Sequence, residues 1–103
     1  MRFMIKASMS TEAANDVARD GQLGATIQSI LDDLKPEAAY FTEDVGERTA
    51  ILIVDLAEAS QIPAVAEPWY LAFDARVEFS PLMVPEDLAK AGPGIEAAVK
   101  KFG

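Results

Sequence analysis

Five consecutive apolar residues at positions 50–54, Ala-Ile-Leu-Ile-Val, leave this chain few ways to fold. Successive side chains of a β-strand point to opposite faces, so a strand through this run is apolar on both faces. Such a strand belongs in the middle of a sheet, where both faces are covered, and we predict it at residues 48–56. A chain of 103 residues has room for a single domain. The sheet around this strand is therefore expected to organise residues 1–103 as one unit.

The remaining patterns place further strands on both sides of this run. Alternating or β-rich segments predict strands at residues 3–9, 37–43 and 76–83, and the short link 44–47 predicts an antiparallel hairpin. Helical spacing of apolar residues predicts helices between the first two and the last two strands. The predicted fold is α+β and ferredoxin-like: βαββαβ, with a four-stranded antiparallel sheet and a helical C-terminal extension at residues 85–103.

Capping and helix-breaking residues occur in both predicted helices. Ser10 or Thr11 is suited to cap the first helix, but Gly21 interrupts the segment 11–34, and the sequence leaves open whether one bent helix or two form there. In the second helix, capped in our interpretation by Ser60, Pro68 is predicted to bend or shorten the element because it cannot donate a backbone hydrogen bond.

The predicted topology leaves one sheet face without helices. Because the central strand is apolar on both sides, we expect another protein surface to cover that face. A second copy of the chain can supply that surface without any other protein, so we predict a homodimer.

Charge and composition argue against several classes of protein. The chain carries 17 Asp and Glu against 9 Lys and Arg, a formal net charge of −8, and its basic residues are scattered. We therefore expect no nucleic acid and no anionic membrane surface as partners. There is no Cys, the first residues hold too short an apolar run for a signal peptide, and no stretch reaches membrane-spanning length, so we expect a cytoplasmic protein.

The chain also lacks histidine. Histidine is the commonest general base at neutral pH, a frequent zinc ligand and the usual proximal ligand of haem, so zinc enzymes, Ser-His-Asp hydrolases and haem proteins are disfavoured. The acidic residues lack the spacing of a calcium loop. We predict neither a metal site nor a cofactor.

A candidate pocket follows from strand alternation. Residues of matching parity on adjacent strands share a face, and the set that could line a small polar pocket is Lys6, Ser8, Tyr40, Thr42, Arg76, Glu78 and Ser80. A Lys beside a Glu there could hold a substrate carboxylate. The alternative, which we favour, is that Lys6 and Glu78 form a cross-strand ion pair that only fixes the register.

Two aromatic residues of the second helix receive different interpretations. Trp69 shares the buried stripe of Ile62, Val65 and Phe73 and is predicted to lie in the core. Tyr70 leaves that stripe, so it is the candidate for a pocket wall or a dimer contact.

Several segments resemble a family of small bacterial proteins in the dimeric α/β-barrel superfamily. The matching segments are Ile-Gln-Ser-Ile-Leu at 27–31, Lys-Pro-Glu-Ala at 35–38, Ala-Ser-Gln-Ile-Pro-Ala-Val-Ala-Glu-Pro at 59–68 and Pro-Glu-Asp-Leu-Ala-Lys-Ala-Gly at 85–92. The resemblance implies a dimer in which two ferredoxin-like sheets pack face to face, and it offers no catalytic residues to carry over. Other members of the superfamily are antibiotic-biosynthesis monooxygenases and muconolactone isomerases. Isomerase or monooxygenase activity is thus an expectation by analogy of fold alone.

Three hypotheses for function follow. The first is a homodimer that binds a small organic ligand in a partly polar cavity, whether or not it carries out cofactor-free chemistry. The second is a structural or protein-interaction module without catalysis, whose likeliest contact is the amphipathic segment 95–102. The third is an isomerase or monooxygenase.

Overall fold

The computed structural model describes all residues from Met1 to Gly103 and contains one four-stranded sheet. Its strands are β1 (Arg2–Ser8), β2 (Ala38–Asp44), β3 (Glu47–Asp55) and β4 (Arg76–Pro81). They lie in the order β2-β3-β1-β4, and every neighbouring pair is antiparallel. The predicted antiparallel sheet is confirmed, and β3 is a central strand as its doubly apolar sequence indicated.

Five α-helices complete the chain. They are α1 (Thr11–Arg19), α2 (Leu23–Leu34), α3 (Ile62–Phe73), α4 (Pro85–Lys90) and α5 (Gly92–Phe102), with a short 3₁₀ turn at Ala59–Gln61 before α3. The order along the chain is β1-α1-α2-β2-β3-α3-β4-α4-α5. No helix is both long enough and apolar enough to cross a bilayer.

The segment between β1 and β2 forms two helices, which answers the question that the sequence left open. Ser10 caps α1, its Oγ accepting a hydrogen bond from the backbone N–H of Ala13 at 3.4 Å. Gly21 then adopts a φ of +71°, a left-handed conformation that favours glycine. The turn at Gly21 ends one helix and lets α2 start in a new direction.

The second crossover differs from its prediction at the start of its helix. Ser60 does not cap α3; it lies inside the 3₁₀ turn, where its Oγ donates to a carboxylate oxygen of Glu58 at 3.2 Å. Of the two effects predicted for Pro68, a bend or a shorter helix, shortening does not occur: α3 continues to Phe73 and ends at Asp74 with a φ of +46°. Packing outweighs the lost hydrogen bond, because Trp69 and Phe73 beyond the proline are both fully buried.

The hydrophobic core lies on one face of the sheet. Ile5 of β1 and Leu52 of β3 are cross-strand partners with no exposed surface, and they belong to one buried cluster with Trp69 and Phe73 of α3. Trp69 is a core residue, as predicted. No core residue of a helix packs on the opposite face, which we call the open sheet face.

Residues 85–103, which we call the C-terminal arm, extend the molecule. The radius of gyration is 17.3 Å and the longest dimension is 59 Å, whereas a compact domain of this length has a radius of gyration of about 13 Å. Every residue from Pro93 to Gly103 is exposed. The arm thus contributes little to the core of its own chain.

Candidate functional site

Strand register places seven of the eight predicted site residues on the open sheet face. Lys6 pairs with Glu78 and Ser8 with Arg76 across β1 and β4, and Ser80 lies opposite Met4 on the same face. Across β3, Ile51 separates Lys6 from Tyr40, and Thr49 separates Ser8 from Thr42. The alternation of side chains along each strand was sufficient to predict that these seven residues share a face.

Tyr70, the eighth residue, does not join them. It lies on α3, the helix that packs against Ile5 and Leu52 on the other side of the sheet. Its side chain is partly exposed there. The spacing that set Tyr70 apart from Trp69 identified a surface position, but not one near the open sheet face.

The expected ion pair between Lys6 and Glu78 is not present. The ammonium of Lys6 instead pairs with the carboxylate of Asp44 at the end of β2, and Glu78 pairs with Arg76 at 3.3 Å. The hydrogen bond to Asp44 raises the pKa of Lys6 above its ordinary value, with a smaller contribution from the charge of Asp44, while desolvation acts in the opposite direction. Lys6 therefore remains protonated at neutral pH and is not a general base there.

Asp44 is a member of this cluster that the sequence interpretation missed. The residue was assigned to the hairpin turn, whereas β2 extends one residue further and includes it. Its parity matches that of Tyr40 and Thr42, so a longer strand in the prediction would have found it.

Beneath these charges lie two buried polar residues, Ser8 at 2% and Thr49 at 1% exposure. The Oγ1 of Thr49 donates to the backbone carbonyl of Glu47 at 3.0 Å. The Oγ of Ser8 has no hydrogen-bond partner within the chain. A buried hydroxyl in that state is unfavourable by about 1–3 kcal/mol, so Ser8 is an unused polar group directly below the charged cluster.

The pairings of Lys6 and Arg76 account for this burial. A side chain that runs from Lys6 on β1 to Asp44 on β2 must cross β3, which lies between them. Arg76 on β4 likewise reaches across β1 toward Glu47 on β3, to which it approaches at 4.0 Å. The two long side chains form a charged cover over Ser8 and Thr49.

An apolar patch adjoins the charged cluster on the same face. Its members are Met4, Ala38, Tyr40, Ile51 and Ile53, which cross-strand pairing brings side by side. None is buried, although four are partly covered by their neighbours, and Tyr40 is exposed. An apolar centre with a charged border is typical of a surface that packs against another protein.

A separate groove of about 360 Å³ opens beside the hairpin of β2 and β3, and the sequence gave no indication of it. Its lining is Met9, Ile27, Phe41, Thr42, Glu43, Arg48 and Thr49, and we call it the Phe41 groove. Phe41, on the edge strand β2, is 52% exposed. The guanidinium of Arg48 donates to Oδ1 of Asn15 at 2.9 Å and has no carboxylate partner.

The open sheet face combines charged groups of both signs with apolar surface. No group of three or more acidic side chains is placed to hold a metal ion. The cationic groups of Lys6 and Arg76 stand next to the apolar patch, and the carboxylates of Asp44, Glu47 and Glu78 stand with them. Neither a search against protein-family models nor a search of curated proteins finds a match for this chain.

Proposed function

We propose that this protein is a homodimeric small-molecule-binding domain whose two sheets pack through their open faces. The observation that carries the proposal is the composition of that face: an apolar patch bordered by Lys6, Arg76 and the unpartnered hydroxyl of Ser8. Burial of the patch against a second copy would remove apolar surface from water and leave the polar end to enclose a ligand.

We also propose that the domain is ferredoxin-like and belongs to the dimeric α/β-barrel superfamily. The strand order β2-β3-β1-β4, with β3 and β1 inserted between the strands that each crossover connects, supports this assignment. The additional helix in the first crossover and the C-terminal arm are departures from a simple βαββαβ chain.

The chemical class of ligand that fits is a small organic anion with an apolar body. Its carboxylate would pair with Lys6 or Arg76 in exchange for the chain's own Asp44 or Glu78, and Ser8 would donate a hydrogen bond to it. Its apolar part would lie on Ile51 and Tyr40. Binding needs no cofactor, and catalysis is not part of the proposal.

The dimer is tested by Ile51→Glu, which places a charge in the centre of the apolar patch. Leu71→Glu is the matched control, because Leu71 is an exposed apolar residue on α3. Light scattering coupled to size exclusion should show a dimer for the wild type and the control, and a folded monomer for Ile51→Glu. A monomeric wild type, or a dimer that tolerates Ile51→Glu, would overturn the proposal.

The ligand is tested by thermal shift with a panel of small carboxylic acids that carry aliphatic or aromatic groups. A ligand at 100 times its dissociation constant adds about 2.7 kcal/mol to the free energy of unfolding, which is readily measured. We expect a shift in the wild type that is reduced in Lys6→Met and in Ser8→Ala. An equal shift in the wild type and both variants would place binding elsewhere.

A structural or protein-interaction module is the second candidate, and the exposed apolar stripe of α5 favours it. This alternative gives the same dimer but no response to any organic acid. The two functions are therefore separated by the thermal-shift panel and not by the oligomeric state.

A further inference from the structure

The C-terminal arm presents an apolar surface that its own chain leaves uncovered. In α5 the residues Ile95, Val99 and Phe102 follow helical spacing on one side, and all are exposed, Phe102 by 81%. Among the other elements, α5 packs mainly on α4. An isolated helix shorter than about 12 residues is marginal in water, so α5, with 11 residues, needs another surface to remain helical.

Charge indicates what kind of surface this is. The arm is neutral, with Glu86, Asp87 and Glu96 against Lys90, Lys100 and Lys101, so the whole formal charge of −8 resides in residues 1–84. Lys100 and Lys101 stand immediately before the exposed ring of Phe102. The end of the arm is therefore a cationic site with an aromatic centre, suited to an acidic surface that has an apolar recess.

The Phe41 groove supplies the apolar recess, and it lies on the part of the chain that carries the whole net negative charge. Phe41, Met9 and Ile27 supply apolar walls to this open groove of about 360 Å³. Two charged side chains line the groove: Arg48 donates to Asn15, and Glu43 makes no ion pair within the chain. Phe102 could therefore pack on the apolar walls, and a lysine before it could pair with the carboxylate of Glu43.

The arm of a chain is directed away from that chain's own groove. It leaves the sheet from β4, one edge strand, whereas Phe41 lies on β2, the opposite edge strand. The molecule reaches 59 Å in its longest dimension, so the arm projects outward and does not fold back over the sheet. A second copy of the chain is the partner that carries the matching groove and meets a projecting arm.

We propose that the C-terminal arm docks on a second copy, with Phe102 in that copy's Phe41 groove and Lys100 or Lys101 paired with its Glu43. The proposal rests on the self-association proposed above but not on the ligand. It adds a contact between copies at Phe41, which lies on the helix side of the sheet and not on the open sheet face.

The direct test uses the absence of cysteine in the natural chain. Ile27→Cys places a thiol in the groove on the helix side of the sheet, away from the open sheet face, and Gly103→Cys places one next to Phe102. After mild oxidation, a mixture of the two single variants should give a covalent heterodimer on a non-reducing gel, in higher yield than either variant alone. No cross-link, or equal yields in the single variants, would overturn the proposal.

The double variant with both cysteines separates contact between copies from contact within a chain. Covalent dimers support docking on a second copy, whereas covalent monomers overturn it. The cross-link reports the arm alone, while Ile51→Glu reports the open sheet face. Failure of the arm contact is therefore distinguishable from failure of the proposed sheet dimer.

The energetic test is Phe102→Ser with Ala97→Ser as the control, since Ala97 lies on the opposite side of α5. Loss of an aromatic anchor should raise the dissociation constant of the dimer by about tenfold or more, and the control should leave it unchanged. Lys100→Glu with Lys101→Glu should also weaken the dimer, and Glu43→Lys should restore it. Equal affinity for Phe102→Ser and wild type would contradict the proposal.

Discussion

Removal of the Ser8 hydroxyl should stabilise the protein. Ser8 is 2% exposed and its Oγ has no hydrogen-bond partner in the chain. An unsatisfied buried hydroxyl costs about 1–3 kcal/mol, and Ser8→Ala removes it together with the packing of a single oxygen atom. We expect a net gain of about 1 kcal/mol in the free energy of unfolding. For a domain of this size that corresponds to a rise in Tm of about 4 °C or more.

Ser10→Ala is the matched control for this experiment. It makes the same change two residues away, but the Oγ of Ser10 accepts a hydrogen bond from Ala13 as the cap of α1. Its loss should lower stability by about 0.5 kcal/mol, at the weak end for helix caps because the bond is 3.4 Å long. Thermal and urea unfolding should therefore move the two variants in opposite directions. A lower Tm for Ser8→Ala would refute the assignment of Ser8 as an unused polar group.

Three other substitutions test the hairpin, the ion pair and the core. Val45 has a φ of +51° before Gly46 at +76°, and Val45→Asn should raise stability in urea unfolding by about 1 kcal/mol, because asparagine tolerates a left-handed conformation that valine does not; a decrease would contradict this. The pKa of Lys6 is raised in the fold by Asp44, so its stabilisation is complete below the unfolded pKa and disappears as pH rises through the folded value. Lys6→Met should therefore lower the free energy of unfolding at neutral pH. The difference from wild type in urea unfolding should narrow at strongly alkaline pH, and a difference that stayed constant would refute this explanation. Trp69→Ala should cost about 3–5 kcal/mol, because the side chain is fully buried; a loss below 1 kcal/mol in the same assay would show that the core is loosely packed.

Strand alternation was the most reliable guide from sequence to structure. The run at 50–54 identified β3 as a central strand, and parity placed Lys6, Ser8 and Glu78 on one face. These predictions succeeded because every residue of a strand alternates regardless of the surrounding fold. The pairing of charges did not follow, since a lysine side chain is long enough to reach past its direct neighbour to Asp44.

Local capping signals and tertiary features were harder to predict. Ser60 is of a residue type that often caps helices, but it lies within a 3₁₀ turn. The side chain of Gln61 accepts hydrogen bonds from the backbone of Ala57 and Glu58 at this turn. The Phe41 groove is lined by residues of α2, β2, β3 and the link after β1, and periodicity does not encode how these elements meet. The amphipathic pattern of α5 was visible in the sequence, but the sequence did not show that this helix lies away from the core.

Native mass spectrometry of gently purified protein tests the central claim most directly, because one spectrum reports both self-association and retained small molecules. The account predicts a species of twice the chain mass, and small carboxylic acids added to the sample should bind to it and bind less to Lys6→Met. A monomer at every concentration, or a dimer that binds such acids no better than Lys6→Met does, would contradict a ligand-binding homodimer.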